Sequence, residues 1–466
     1  MRPEIFEYNC DWLMASVLNA ASKVSNGTRK ETTLAYRYIP YFKGATKTFI
    51  DAGDVGVQLL KLFAQYYDNV LTAHDRGKKI AAITFCFSPS ICYAMDVVPI
   101  CTELFTALGG IVWKRGMFDY LDYACEVGLP ETSCSSQRGA MGAYFSGLTE
   151  SVDFYVCDTP GICDTNANAF AFAAAYMNKP FYQLNYPQNI GDQRTECYHL
   201  DDYKELIRFM EAQTGYKMDY ERLAEVLAEV EKQDAWIADL EDMQALVPTP
   251  FSPIYSIALY AGRFTFAGHK EYTVLLETMV REALKRAETG ASGLITGQER
   301  LRAYMFYIDH FTLDMNFWNW LNENGIAHIG SMLSHHFRNN IAYVGQLDGV
   351  AYGIDTHSPE GMLNSIAQMN ARLPMVRSIR GPYDRPNMWL EETLVLARHF
   401  KADCLIYNGT PGCRNTWANV KLMARDLEKH GYPVHIMNDD AFDDRVESWD
   451  VTRERLEEFI KVRGLL

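Results

Sequence analysis

The chain has no unbroken apolar run of roughly 18 residues, the length that a membrane-spanning helix requires. Its first residues carry no basic stretch leading into an apolar one, so no secretory signal is expected and the cytoplasm is the expected compartment. Positive charge is scarce: 44 Lys and Arg stand against 59 Asp and Glu, for a formal net charge of −15. Nucleic acid and anionic membranes bind basic surfaces that release their counterions, so neither is expected as a general partner. A polyanionic ligand would need a local basic pocket; Arg377, Arg380 and Arg385 can be read as one, or as a solvated face. Compact CxxC pairs are missing around Cys134, Cys163 and Cys413, and no histidine stands near them in sequence. That removes the short-spaced ligand pairs on which structural zinc sites rest. The eleven cysteines are odd in number and scattered over a long chain, which speaks against a disulfide framework and for reduced thiols.

What is present is a chain of 466 residues, 48% of them apolar, enough for two or three domains with cores of their own. Residues 1–75 read as mixed helix and loop, rich in aromatics over 36–42. From there strand, loop and helix alternate. Residues 79–87 (KIAAITFCF) and 97–101 are apolar runs around a short helix-like segment, 90–95. Residues 152–157 lead through the loop DTPGICDTNAN into an Ala-rich helix over 169–177 and the run FYQLNY. Residues 201–246 read as helical, because Leu206, Phe209, Met210, Leu223, Val226, Leu227 and Val230 recur at helical spacing. The proline-rich segment 247–253 breaks that pattern and marks a boundary between an α/β domain over 76–250 and another over 251–466. Beyond it, 273–289 is an amphipathic helix stopped by Gly290. A strand Cys404–Tyr407, the loop NGTPGC, a helix over 414–430 and a strand over 433–437 close the pattern. The expected fold class is therefore α/β: two Rossmann-like or flavodoxin-like domains with parallel sheets, behind a mainly helical amino-terminal region. Ligands of such sheets bind beyond the carboxyl ends of the strands.

Three cysteines stand out because each sits where a loop enters a helix. Cys413 lies in the turn GTPGCR, Cys163 in the equivalent loop PGICD of the first half, and Cys134 after the helix-start sequence PETS. A helix amino terminus favours anions, so each thiol is expected to ionise more readily than usual and to serve as a metal ligand. Simple burial remains the alternative for each, since cysteine is among the most often buried residue types. Cys86, Cys92, Cys101, Cys125, Cys157 and Cys404 lie in apolar runs or on helical faces, where core packing is the simpler reading. Cys101 and Cys125 flank Cys134 and rival it as ligands. Thiolates without short spacing suit iron and sulfide better than zinc. Two of the three cysteines fall at equivalent strand ends of separate domains, which predicts an iron–sulfur cluster in the cleft between them.

The segments FSPSICYAMDVVPICTE, ACEVGLPETSCSSQRGAMGAY, VCDTPGICDTNANAF, YNGTPGCRN, KHGYPVHIMNDDAFDDR and TRERLEEF carry a family resemblance. From about residue 75 onward the chain resembles the 2-hydroxyacyl-CoA dehydratases and ATP-dependent benzoyl-CoA reductases, and their larger subunit in particular. The resemblance implies a heterodimer with a second homologous iron–sulfur subunit, each subunit holding a 4Fe-4S cluster by three cysteines. By motif those are Cys134, Cys163 and Cys413. It also implies an acyl-CoA substrate and an ATP-hydrolysing iron–sulfur activator that delivers a low-potential electron. Glu103 takes the place of the glutamate that moves protons in the larger subunits, though its neighbours are Thr102 and Leu104 where the family has Pro and Asn. A family hydroxyl before Pro89 is replaced, with Cys86 near its place and Ser88 the nearest alcohol.

The implied chemistry is a radical one. A single electron on the thioester carbonyl makes a ketyl anion that expels the neighbouring hydroxyl and acidifies the β-position; in the aryl version the same delivery reduces a ring. An oxygen-sensitive lyase or oxidoreductase is therefore expected. An electron-relay or structural subunit of the same complex is a second reading, and a homodimeric double-cubane-type reductase of small molecules a third. Aromatic residues make up 13% of the chain, and a cluster such as Phe317, Trp318 and Trp320 can line an aryl pocket or fill a core.

Overall fold

In a computed structural model the chain is described over residues 9–23, 42–187, 192–308, 315–336, 338, 346–347, 349–377 and 387–466. Two parallel sheets organise it. The first holds β1 (Ile80–Ile83), β2 (Val98–Cys101), β3 (Phe154–Asp158) and β4 (Phe181–Leu184), in the order β2-β1-β3-β4. The second holds β5 (Leu301–Met305), β6 (Ile326–Ser331), β7 (Cys404–Tyr407) and β8 (Val434–Ile436), in the order β6-β5-β7-β8. All neighbouring pairs run parallel. Every residue of β1, β2, β3, β5, β6 and β7 is buried, the condition of a parallel sheet covered on both faces, and this is why most of these strands read as continuous apolar runs. In this strand order the crossovers change direction between β1 and β3, and between β5 and β7, which opens a crevice at the carboxyl ends there.

The strands expected over 79–87, 97–101, 152–157, FYQLNY, Cys404–Tyr407 and 433–437 are all present, most trimmed at their ends. β5 and β6 were not expected. Arg302 interrupts the first and His328 the second, and both are buried. Arg302 is satisfied by carbonyls at the end of the helix Tyr220–Gln244 and just beyond it, donating to Gln244 at 2.9 Å and Leu246 at 3.0 Å, and by Glu299 at 2.6 Å. A sequence window sees a charge there; the fold supplies the partners.

Three helical expectations are refined. The span 201–246 is two helices, Gln193–Thr214 and Tyr220–Gln244, separated where Gly215 adopts a left-handed φ of 79°. The helix expected over 273–289 begins earlier, as Lys270–Thr289, and ends at Gly290 as anticipated. The single helix expected over 414–430 is two, Arg414–Trp417 and Val420–Lys429. Asn419, whose short amide favours helix starts over helix interiors, opens the second.

Ahead of the first sheet, the helices Cys10–Ser22 and Asp54–Leu71 pack together, with Phe42–Asp51 against the latter. Residues 36–41 of the aromatic stretch lie outside the described residues, as do Arg380 and Arg385. Arg377 forms no open basic face: it is buried and donates to Glu392 at 3.0 Å. Phe317, Trp318 and Trp320, on the helix Asn316–Glu323, are buried and fill core. Among the described residues no helix is long and apolar enough to cross a membrane.

Candidate functional site

The carboxyl ends of both sheets run out toward the same space. β1 continues to Phe85, β2 to Glu103, β3 to the loop before Cys163, β5 to Tyr307 and β7 to the loop before Cys413, and residues from all five segments line one cavity. Its space, open mouth included, is about 620 Å³. Glu103, Cys134, Cys163 and Cys413, singled out from sequence, all face it. Cys101 and Cys125 do not line it. The Cys101 thiol donates to Glu103 Oε2 at 3.4 Å, and Cys125 receives Arg138 Nη1 at 3.6 Å.

Each of the three cysteines is the residue immediately before a helix, respectively Ser135–Ser146, Asp164–Met177 and Arg414–Trp417. Cys163 caps its helix through sulfur, accepting from Asn166 N at 3.5 Å. Asp158, the last residue of β3, shapes the same loop. Its carboxylate accepts from Cys163 N at 2.9 Å, Asn166 Nδ2 at 3.1 Å and Thr84 Oγ1 at 3.2 Å. The Cys134 thiol lies 3.0 Å from the Ser136 hydroxyl, and the Tyr307 hydroxyl lies 3.4 Å from the Cys413 sulfur. The Cys134 and Cys413 loops touch through Gly412: a Cβ there would stand 2.6 Å from Cys134 N and 2.7 Å from the Ser133 carbonyl, so only glycine permits the approach.

The expectation that these thiols ionise easily is reversed for two of them. Burial pushes Cys134 up to about 12 and Cys163 well above its ordinary value, and the nearby Cys413 adds to both. The loss of water outweighs the helix ends. A thiol held this way surrenders its proton when a metal takes the proton's place.

Glu103 sits in the first turn of the helix Thr102–Val112 and is buried. Burial raises its carboxyl to about 7, against the pull of donors that include Cys101 and, at 3.1 Å, Thr102 Oγ1. A carboxyl tuned to neutrality can both take and return a proton. Cys86 and Ser88 stand outside the cavity lining. The Cys86 sulfur accepts from Asn166 Nδ2 at 3.8 Å, and the Ser88 hydroxyl pairs with Ser90 at 3.0 Å.

Among the described residues no group of three or more His, Cys, Asp or Glu is gathered tightly enough to hold a single metal ion. The three cysteines line the one cavity from separate helix starts. Asp158, Asn166, Tyr307 and Asp440 escaped the sequence reading. Asp158 and Asn166 carried one signal, as polar residues on either side of the Cys163 loop, whereas Tyr307 follows a strand that was not recognised.

No curated protein matches the chain. The family model described as 2-hydroxyglutaryl-CoA dehydratase, D-component matches residues 84–462, a span that contains every strand after β1 and every residue of the cavity named above. By that match the chain belongs to the 2-hydroxyglutaryl-CoA dehydratase D-component family, and is a dehydratase-type component of an acyl-CoA-processing enzyme.

Proposed function

We propose that this chain is the iron–sulfur, acyl-CoA-binding subunit of an oxygen-sensitive acyl-CoA dehydratase, acting in the cytoplasm with a second homologous subunit and an ATP-hydrolysing iron–sulfur activator. The two sheets are then the cores of domains over 76–250 and 251–466, with a 4Fe-4S cluster in the cleft. One observation carries this: three thiols from three separate helix starts line a single cavity together with a buried glutamate. The donor set fits. Soft sulfur donors suit iron–sulfur groups. Cys134, Cys163 and Cys413 would hold it. Bound there, it supplies a Lewis-acidic iron with an open position and an entry point for a low-potential electron.

The residues around that position do the rest. Phe85, Ile308, Met375 and Phe442 close the space with apolar surface and keep water from the reacting acyl group. The Glu103 carboxyl moves the proton at the β-carbon of the acyl group, since its value of about 7 leaves a usable fraction in each protonation state near neutrality. That tuning favours the catalytic reading over an electron relay, which has no need of an acid–base group. Anaerobic purification with iron and sulfide analysis tests the proposal. Iron and sulfide in the parent, lost in Cys134→Ala, are the expected result; zinc alone would overturn it. Turnover of 2-hydroxyacyl-CoA thioesters by the complete complex that is unchanged in Glu103→Gln would convert the chain into a relay subunit.

A further inference from the structure

We propose that Asp440 is the positioning residue of this site: its carboxylate ties the Cys134 and Cys413 loops, which belong to different sheets, into one cluster-binding geometry. The inference rests on the iron–sulfur reading above. Asp440 follows β8 and is buried, and both its oxygens are used. Oδ1 accepts from the Ser135 hydroxyl and from Phe442 N at 2.9 Å; Oδ2 accepts from Thr410 Oγ1 at 2.8 Å. Ser135 is the neighbour of Cys134. Thr410 in turn holds the other ligand loop, because Cys413 N donates to its carbonyl at 2.8 Å. A shift of Asp440 therefore moves both sulfurs, and where Gly412 meets Ser133 and Cys134 there is no slack to absorb it.

Ser135 Oγ and Thr410 Oγ1 also lie 3.4 Å apart, a long contact that Asp440 holds from both sides. Asp158 fixes Cys163 but bonds only within the first sheet's half. Arg414 and Asp164 cross the cleft at 2.9 Å, but at 67% and 35% side-chain exposure water screens their attraction. The Asp440 bonds are made out of water: burial raises its carboxyl from the usual range, its three donors offset part of that by favouring the ionised form, and each bond to that form is stronger than a neutral one. When ionised, Asp440 acts on the nearby Cys134 sulfur and disfavours adding an electron beside it, so Asp440 holds the reduction potential down.

The test compares the parent chain with Asp440→Ala and Asp440→Asn after anaerobic loading with iron and sulfide, reading chelator-driven iron release, the reduced-state EPR spectrum, the midpoint potential and far-UV circular dichroism. Asp440→Asn keeps the shape and one acceptor oxygen, its amide nitrogen able to donate to the Thr410 hydroxyl instead of accepting from it, but not the charge; it is expected to keep its iron with a midpoint potential above the parent's. Asp440→Ala is expected to release iron at least about tenfold faster, the factor that ~1.4 kcal/mol represents, with the same circular dichroism spectrum. Parent-like release, spectrum and potential in both variants would overturn the role of Asp440 and leave the cluster assignment standing. So would an unfolded Asp440→Ala beside an Asp440→Asn with the parent's potential. A parent chain that takes up no iron and sulfide would overturn the cluster assignment, and this inference with it.

Discussion

Glu103 shows how a single side chain is set by competing terms. Burial raises its carboxyl to about 7, and the donors around it recover only part of the cost of charging it. Below pH 7 it is increasingly protonated, so a step that uses it as a base slows on the acid side of that value. Glu103→Gln is expected to cut turnover by about 10²–10⁴ while leaving iron per chain unchanged, which metal analysis beside a steady-state assay would show. The same shift has a stability consequence. A carboxyl whose folded value is raised favours the folded state below its unfolded value, 4.5, and loses that contribution as pH rises through about 7. Glu103→Gln therefore melts above the parent at pH 8, by up to ~3 kcal/mol, and converges on it near pH 4; coincident melting curves at both pH values would refute this. Gly412→Ala tests the loop contact, since the added methyl has no room against Ser133 and Cys134. It is expected to cost about 1–3 kcal/mol in a urea titration and to prevent full iron loading.

At the level of elements, the helix Asp164–Met177 carries two functions on one residue, because Cys163 is both a proposed ligand and the cap that accepts from Asn166 N. Serine preserves the cap and alanine removes it. In the metal-free protein Cys163→Ser is expected to match the parent in stability and Cys163→Ala to lose about 1 kcal/mol, whereas neither variant should load iron fully. Equal stability of the two variants by denaturant titration would show that the sulfur does not cap. The elements legible in the sequence were those whose partners are local: the apolar runs of β1, β3 and β7, the glycine stop at Gly290, and the three helix starts. β5 was illegible because Arg302 is buried by distant partners, and β6 because His328 interrupts its apolar run. The partners of Arg302 are the end of a helix some sixty residues earlier and Phe400. No window around residue 302 contains that information.

For the molecule as a whole, Cys134 and Cys163 belong to the first sheet's half and Cys413 to the second's, so the proposed cluster would link the two. A group that binds the folded chain and not the unfolded one adds its binding free energy to stability. Stripping iron with a chelator under anaerobic conditions is expected to lower the melting temperature of the parent by several degrees and to leave Cys413→Ser, melted side by side in a calorimeter, almost unaffected. A parent with the same melting temperature before and after chelation would separate the site from the stability of the fold.

The sequence by itself determined the α/β class, the alternation of strands and helices, the family, and the placing of three cysteines at helix starts, because each of these depends on neighbours within a few residues. Convergence was decided only by the tertiary structure. That Glu103 shares a cavity with all three thiols, that Cys101 and Cys125 turn away, and that Asp440 joins Ser135 to Thr410 are facts about residues as far apart in sequence as Ser135 and Asp440, or Glu103 and Cys413. The tertiary structure also overturned the ionisation expected of Cys134 and Cys163. A helix end is visible in sequence, but the burial that outweighs it arises only when the two sheets close over the site.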